Sequence, residues 1–153
     1  MLEITPLRPD DPAVFQAAFD AIGWNKPAAQ YEAYLEEQAA DIRPVLVARV
    51  EGDFAGYITV VWQTGYAPFR EAGIPEIQDF NVLPQFRRQG IGSALMAAVE
   101  ALIATRSKIA GIGVGLYPDY GPARGSMCCA AMCPTAWGLP RSKSRFWPVK
   151  WCV

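Results

Sequence analysis

A strand, a glycine-containing turn and a long helix follow one another between residues 76 and 103, and this succession constrains the fold more than any other feature. Residues 76–83 (EIQDFNVL) are rich in β-forming side chains, and Pro84 ends the run. A helix is predicted from Gly90 to about Ile103, because apolar residues recur there at every fourth position. The stripe comprises Ile91, Leu95, Val99 and Ile103. Such a helix packs its apolar face on a sheet, so the succession predicts an α/β fold.

The remaining patterns predict a mixed sheet with helices packed on it. Strands are predicted at residues 2–6, 44–50, 54–62 and 109–116, and the middle two form a hairpin with a Gly52-Asp53 turn. One helix is predicted from Asp10-Asp11-Pro12 to near Gly23, and a second from Pro27 to about Ala40. Residues 64–73 are predicted to be a loop. The predicted order is β-α-α-β-β-β-α-β.

Composition excludes several classes of function. The 153 residues include no histidine, which excludes Ser-His-Asp and Cys-His catalysis and histidine-ligated zinc. A net charge of −1 gives no general attraction to nucleic acid or to an anionic membrane. The longest strongly apolar stretch, residues 57–62, is too short to span a bilayer, and the first residues do not resemble a signal peptide. We therefore expect a cytoplasmic protein without nucleic-acid or membrane partners.

The turn before the predicted helix is a candidate phosphate site. Its sequence is Arg87-Arg88-Gln89-Gly90-Ile91-Gly92-Ser93. Glycine lets a ligand approach the backbone, and the first amides of a helix have no intrahelical partners and attract anions. The alternative is a tight helix entry with solvated arginines. A P-loop needs Gly-Lys-Ser/Thr, which is absent, and a dinucleotide fingerprint needs a third glycine where Leu95 stands.

This turn and the residues before it resemble the signature of the GNAT superfamily of acetyl-coenzyme A (acetyl-CoA) dependent N-acetyltransferases. The signature is Gln/Arg-x-x-Gly-x-Gly/Ala at the start of the helix after the fourth strand, and residues 87–92 fill it. The lead-in Asn81-Val82-Leu83-Pro84-Gln85-Phe86 also matches. The resemblance covers about residues 2–123. It implies a mixed, mostly antiparallel sheet with helices on both faces.

The resemblance also implies a binding site for acetyl-CoA and no metal. The backbone amides from residue 88 to residue 93 would hold the pyrophosphate. The strand end would separate from the fifth strand, so that its free backbone groups pair with the pantetheine arm and polarise the thioester carbonyl. The implied cofactor-binding residues are Asn81, Val82, Leu83, Arg88, Gln89, Gly90, Ile91, Gly92 and Ser93.

Direct attack by an amine needs a base, because an alkylamine with a pKa of about 10.4 is protonated at neutral pH. Glu76 lies where several family members place this base, and Asp79 is the other acid of the same strand. The two-residue period of a strand predicts that the two carboxylates lie on opposite faces. The alternative is that Glu76 and Asp79 are charged residues at a strand end and have no catalytic role. Tyr57 and Trp62 are predicted to line the acceptor pocket or to belong to the core.

The composition changes abruptly near the end of the chain. All fifteen acidic residues lie at or before Asp119, and all four cysteines lie at or after Cys128. Reading codons one frame over permits the segment Arg-Gly-Tyr-Val-Pro that the family has there. We therefore expect an acetyltransferase domain at 1–123 and a frameshifted tail at 124–153, without the final strands and without the family's usual tyrosine acid. Tyr117 and Tyr120 are the nearby phenols, and we take Tyr120 as the catalytic candidate. The alternatives are a metal or disulfide role for the cysteines and a basic-aromatic nucleic-acid patch at 141–147.

The sequence thus predicts transfer of an acetyl group from acetyl-CoA to a primary amine on a small molecule or peptide. The alternative is a module of the same fold that binds acetyl-CoA or a protein partner without turnover. Strand edges exposed by the lost strands would favour a homodimer.

Overall fold

The computed structural model describes residues 1–114 and 145–150. The helices are α1 (Asp11–Asp20), α2 (Ala28–Ala39), α3 (Ala67–Glu71) and α4 (Ile91–Ala104). The strands are β1 (Leu2–Pro6), β2 (Val45–Val50), β3 (Asp53–Val61), β4 (Glu76–Val82), β5 (Ile109–Val114) and β6 (Arg145–Lys150). A short 3-10 turn, Pro84–Phe86, joins β4 to the loop before α4.

The six strands form one mixed sheet in the order β1-β2-β3-β4-β5-β6. Neighbouring strands are antiparallel except β4 and β5, which are parallel. The long connection between these two strands contains α4, as a parallel pair requires. The mostly antiparallel α/β sheet expected from the sequence is confirmed.

Helices cover both faces of the sheet and enclose two apolar cores. The α4 stripe packs on one face, where Leu95, Val99 and Ile103 are fully buried. On the other face α1 and α2 cover an aromatic core that includes Phe15, Phe19, Tyr31 and Tyr57. Each buried aliphatic or aromatic side chain contributes about 1.5–3 kcal/mol. We call the second side the α1/α2 face.

Two local predictions are wrong. The hairpin register pairs Val50 with Asp53, so the turn is Glu51-Gly52 and not Gly52-Asp53. Both turn residues have positive φ, 53° and 94°, which suits the right-handed twist of the strands. The predicted loop at 64–73 contains α3, which starts with proline in its first turn.

The expectation that the final strands are missing is also wrong for residues 145–150. Strand β6 pairs antiparallel with β5, from Val114↔Arg145 to Ile109↔Lys150. The outer side of β5 offers backbone groups that any β-forming segment can pair with, whatever its origin. Because β6 covers that side, the argument for a homodimer through an open β5 edge no longer holds.

Within the described residues, no helix has the length and apolar character needed to cross a membrane.

Candidate functional site

Strands β4 and β5 separate soon after they meet. Two registers join them, Glu76↔Gly111 and Ile77↔Ile112. Strand β4 continues to Val82 and β5 to Val114 without further pairing between the two. The second half of β4 therefore faces a wedge, which is open towards the carboxyl ends of both strands in the part of the chain that is described.

The backbone of β4 presents alternate residues to this wedge. The Leu83 N–H donates to Ala55 O on β3 at 2.9 Å. Because hydrogen-bond directions alternate along a regular strand, Asn81 also points to β3, whereas Val82 points into the wedge. Of the strand end that is expected to pair with the pantetheine arm, Val82 directs its backbone into the wedge, whereas the Leu83 N–H and the backbone of Asn81 are directed to β3.

The start of α4 closes one end of the wedge with unpaired amides. Ala94 is the first residue of this helix to donate to a preceding carbonyl, Gly90 O at 2.9 Å, and no side chain among residues 1–114 caps the helix. The N–H groups of Ile91, Gly92 and Ser93 lie ahead of that bond. Together with the helix dipole they form a site for an anion.

Two residues of the turn have left-handed backbone conformations, Arg88 at φ 60° and Gly90 at φ 79°. Gly92 lies close to β4: a Cβ there would lie 3.3 Å from the tip of the Phe80 ring, which would have to shift by a few tenths of an ångström, and in ordinary contact at 3.8 Å from a Val82 methyl group. The glycine therefore lets the anion turn lie directly against β4. Gln89 donates to Gln85 O at 2.9 Å, which ties the turn to the preceding loop.

Arg87 links the turn to the wedge. Its Nε donates to Val82 O at 3.1 Å, and its guanidinium lies 5.7 Å from the centre of the Trp24 ring. The carbonyl of Val82 thus points away from β3, as the alternation requires. Arg87 also connects the anion turn to the segment between α1 and α2.

A β-bulge interrupts β4 where the wedge opens. The flanking registers are Tyr57↔Asn81 and Thr59↔Gln78. Two residues, Asp79 and Phe80, therefore oppose the single residue Ile58. Asp79 has φ 47°, a conformation that aspartate tolerates better than most residues.

The bulge places both candidate carboxylates on one face, so the prediction of opposite faces is wrong. Glu76, Gln78 and Asn81 pair with alternate residues of β3 and share their face. Asp79 reaches the same side, because it accepts a hydrogen bond from Tyr57 in the aromatic core. The extra residue shifts the two-residue period of the strand.

Glu76 is buried beneath the segment that carries α3. Its side chain is 6% exposed and accepts hydrogen bonds from the Thr64 hydroxyl and, at 2.8 Å, from Gln78 Nε2. Its partner in β5 is Gly111, where a Cβ would approach the Phe69 ring to 2.2 Å. Glu76 therefore lies at the closed end of the wedge, held by two donors.

Asp79 is the centre of a polar cluster on the α1/α2 face. Five side chains donate to its carboxylate: Lys26 at 2.7 Å, Gln30 at 2.8 Å, Tyr34 at 3.1 Å, Tyr57 at 2.5 Å and Asn81 at 2.8 Å. We call these six residues the Asp79 cluster. They come from the α1–α2 connection, α2, β3 and β4, so the cluster joins four segments at the bulge.

The cluster keeps Asp79 ionised. Burial alone raises the pKa of this carboxyl, but the hydrogen bonds from Lys26 and Tyr57 and the charge of Lys26 outweigh it, so the pKa lies below its usual range. Burial, with the nearby Asp79 charge, raises the pKa of Tyr34 to about 12. Burial likewise raises the pKa of Tyr57 above that of a free phenol. An ionised acid beside neutral phenols is a strong hydrogen-bond acceptor and a weak base.

Sequence reasoning missed most of this cluster. No sequence pattern singles out Lys26, and Gln30 and Tyr34 fall within the second predicted helix without a feature that indicates a site. Tyr57 and Trp62 do not line a common pocket, because Tyr57 is buried under α1 and α2 whereas Trp62 packs with the α4 core. Tyr117, Tyr120 and all four cysteines lie outside the described residues.

Comparison with known proteins places this geometry in a family. A family model described as the acetyltransferase (GNAT) family matches residues 12–124. An uncharacterized N-acetyltransferase of Archaeoglobus fulgidus is 34% identical over 74 residues, which span 46% of this chain and only 48% of the relative.

Solved structures share the fold at low identity. The N-acetyltransferase from Staphylococcus aureus Mu50 has a TM-score of 0.74 at 14% identity, covering 98% of each chain. The PaiA N-acetyltransferase from Thermoplasma acidophilum, solved in complex with coenzyme A, has a TM-score of 0.65 at 11% identity, covering 99% of each chain. The fold, the wedge and the family match over most of the chain agree: this chain belongs to the GNAT acetyltransferase family.

Proposed function

We propose that this chain transfers an acetyl group from acetyl-CoA to a primary amine, with both substrates bound at once. The observation that carries the proposal is the wedge between β4 and β5 with an anion turn at one end. Acetyl-CoA is an elongated molecule with a pyrophosphate, an amide-bearing arm and a thioester in that order. The turn, the exposed β4 backbone and the bulge follow one another in the same order along the site.

The residues present fit this substrate. The amides of Ile91, Gly92 and Ser93 have no helical partner and suit a pyrophosphate, and Arg88 adds charge. The backbone of Val82 faces the wedge and suits an amide of the pantetheine arm. Arg87 Nε donates a hydrogen bond to the Val82 carbonyl and would release that carbonyl when the pantetheine arm binds.

The chemistry needs a base and a donor for the developing oxyanion. We assign the role of base to Glu76, acting through water. Asp79 is the weaker candidate, because five donors occupy its carboxylate and make it a weak base. The amine loses its proton, its nitrogen attacks the thioester carbonyl, and the carbon–sulfur bond breaks to release the thiol. We take the Phe80 N–H, at the bulge where β4 loses its regular register with β3, as the candidate oxyanion donor; loss of such a donor costs about 3–4 kcal/mol of barrier. We keep Tyr120 as the candidate proton donor to the thiolate.

The tail at residues 124–153 affects whether this chain can catalyse acetyl transfer. We propose that residues 124–153 are a frameshifted continuation of the domain at 1–123. The abrupt change in composition and the end of the family match at residue 124 support this. The alternative function, a module that binds acetyl-CoA without turnover, gains its support from the same change. Sequencing the gene across the Ala123 codon tests the frameshift; an unshifted frame with the same tail in close relatives would contradict it.

The activity is tested by following thiol release from acetyl-CoA with a panel of primary amines and short peptides. We expect amine-dependent release by the wild type. Glu76→Gln should bind acetyl-CoA unchanged and turn over more slowly, with the loss largest near neutral pH. Binding of acetyl-CoA without release for any amine favours the module. Unchanged turnover by Glu76→Gln would contradict the assignment of the base.

A further inference from the structure

We infer that Asp79 is the positioning residue that holds the β4 bulge open and thereby aims the Phe80 N–H into the wedge. The inference rests on the proposed acetyl transfer and assigns to Asp79 a role other than the base. The proposed reaction places its oxyanion at the bulge, so whatever fixes the bulge fixes the donor.

The bulge needs support from outside the strand pairing. Neither Asp79 nor Phe80 has a register partner in β3 or in β5 among the described residues. Asp79 also adopts φ 47°, which costs an L-residue conformational energy. A segment without ladder partners and with a strained residue would relax unless other contacts hold it.

The Asp79 side chain supplies the contacts that hold the bulge. Each carboxylate oxygen is occupied: Oδ1 accepts from Lys26 and Asn81, and Oδ2 from Gln30, Tyr34 and Tyr57. The donors belong to the neighbouring strand β3, to β4 just after the bulge, and to α2 with the segment before it. Because every acceptor position is filled by the chain itself, the carboxylate has no free position from which to take a substrate proton.

The Asp79 cluster connects the bulge to the helices of the α1/α2 face. Lys26 lies just before α2, and its ammonium also lies 3.4 Å from the Tyr57 hydroxyl. Tyr31 of α2 donates to the same hydroxyl at 3.4 Å. Displacement of α2 would therefore move the carboxylate and, with it, the Phe80 amide.

Asp79→Asn is the informative variant. Asparagine tolerates the left-handed conformation as well as aspartate does, so the backbone preference is kept while the charge and two acceptor positions are lost. Asp11→Asn is the matched control. The Asp11 carboxylate is 10% exposed, against 17% for Asp79, and pairs with Arg49 at 2.6 Å, but it joins α1 to β2 and lies outside β4.

We expect Asp79→Asn to lower kcat about 100-fold while the dissociation constant for acetyl-CoA stays within threefold. Tyr57→Phe, which removes one of five donors, should cause a smaller loss. Asp11→Asn should lose stability and keep kcat within twofold. Retention of kcat by Asp79→Asn, or an equal loss in both variants, would overturn the inference.

A second measurement separates this inference from the proposed function. Hydrogen exchange of the amides of residues 79–82 should accelerate in Asp79→Asn and stay unchanged in Asp11→Asn, whether or not the chain turns over. Unchanged exchange at these amides overturns the role of Asp79. Failure of the wild type to bind acetyl-CoA in calorimetry, with the exchange result as expected, overturns the proposed function and leaves Asp79 a structural support.

Discussion

Substitution of Gly56 by alanine tests whether the backbone of β4 is the surface that binds acetyl-CoA. A Cβ at Gly56 would lie 2.5 Å from Asn81 O and 3.0 Å from Val82 Cα. Both are backbone atoms, so no side chain can rotate away, and β4 must move by roughly 1 Å to restore ordinary contact. Overpacking of this kind costs about 1–3 kcal/mol, which lowers the melting temperature by about 2–10 °C in a chain of this size.

The same displacement moves the Val82 backbone that faces the wedge. Loss of one hydrogen bond to the cofactor arm, about 1–1.5 kcal/mol, weakens acetyl-CoA binding about tenfold. Thermal unfolding and calorimetric titration of the same preparations measure the two effects. Gly65→Ala is the control, because no atom in the described part of the chain lies within 4 Å of a Cβ there. A Gly56→Ala protein that loses stability and binds acetyl-CoA as tightly as the wild type would refute the reasoning.

Three further predictions concern charge and backbone strain. Arg49→Met leaves the buried Asp11 carboxylate unpaired, and the free energy of unfolding in urea should fall by about 3–5 kcal/mol; a loss below 1 kcal/mol would contradict a structural role for the pair. Arg88→Gly removes a left-handed arginine and should raise that free energy by about 1 kcal/mol while weakening acetyl-CoA binding; tighter binding would contradict the anion turn. The pKa of Asp79 is lower in the folded chain than in the unfolded chain, where it is about 3.9. The stabilisation that its charge provides is therefore complete above the pKa of the unfolded chain, and it is lost as the pH falls through the pKa of the folded chain. Urea unfolding of wild type and Asp79→Asn between pH 2 and 7 should show their difference change only in that acidic range.

Local sequence patterns are enough to predict most helices and strands of this fold. The α4 stripe repeats over a full helix, and Pro84 and Gly90 mark where β4 ends and α4 begins, so both were predictable. The parting of β4 from β5 followed only from the resemblance to the family. It depends on which strands are neighbours, and a single strand sequence does not contain that information.

The bulge and the Asp79 cluster were not predictable in the same way. A strand pattern assumes one residue opposite one residue, and one extra residue at Asp79 reverses every face assignment before it. Lys26 lies 53 positions from Asp79 in the chain, so no local pattern joins them. The one available signal was the tolerance of aspartate for left-handed backbone in the middle of a strand.

Calorimetric titration of the 153-residue chain with acetyl-CoA tests the central claim most directly, with Gly92→Leu and Ala97→Leu as a matched pair. Both variants add the same side chain to α4, but Gly92 lies against β4 in the anion turn and Ala97 is exposed further along the helix. The account predicts one site of micromolar affinity in the wild type and in Ala97→Leu, and binding at least tenfold weaker in Gly92→Leu. A folded wild type that does not bind, or equal binding by all three proteins, would contradict it.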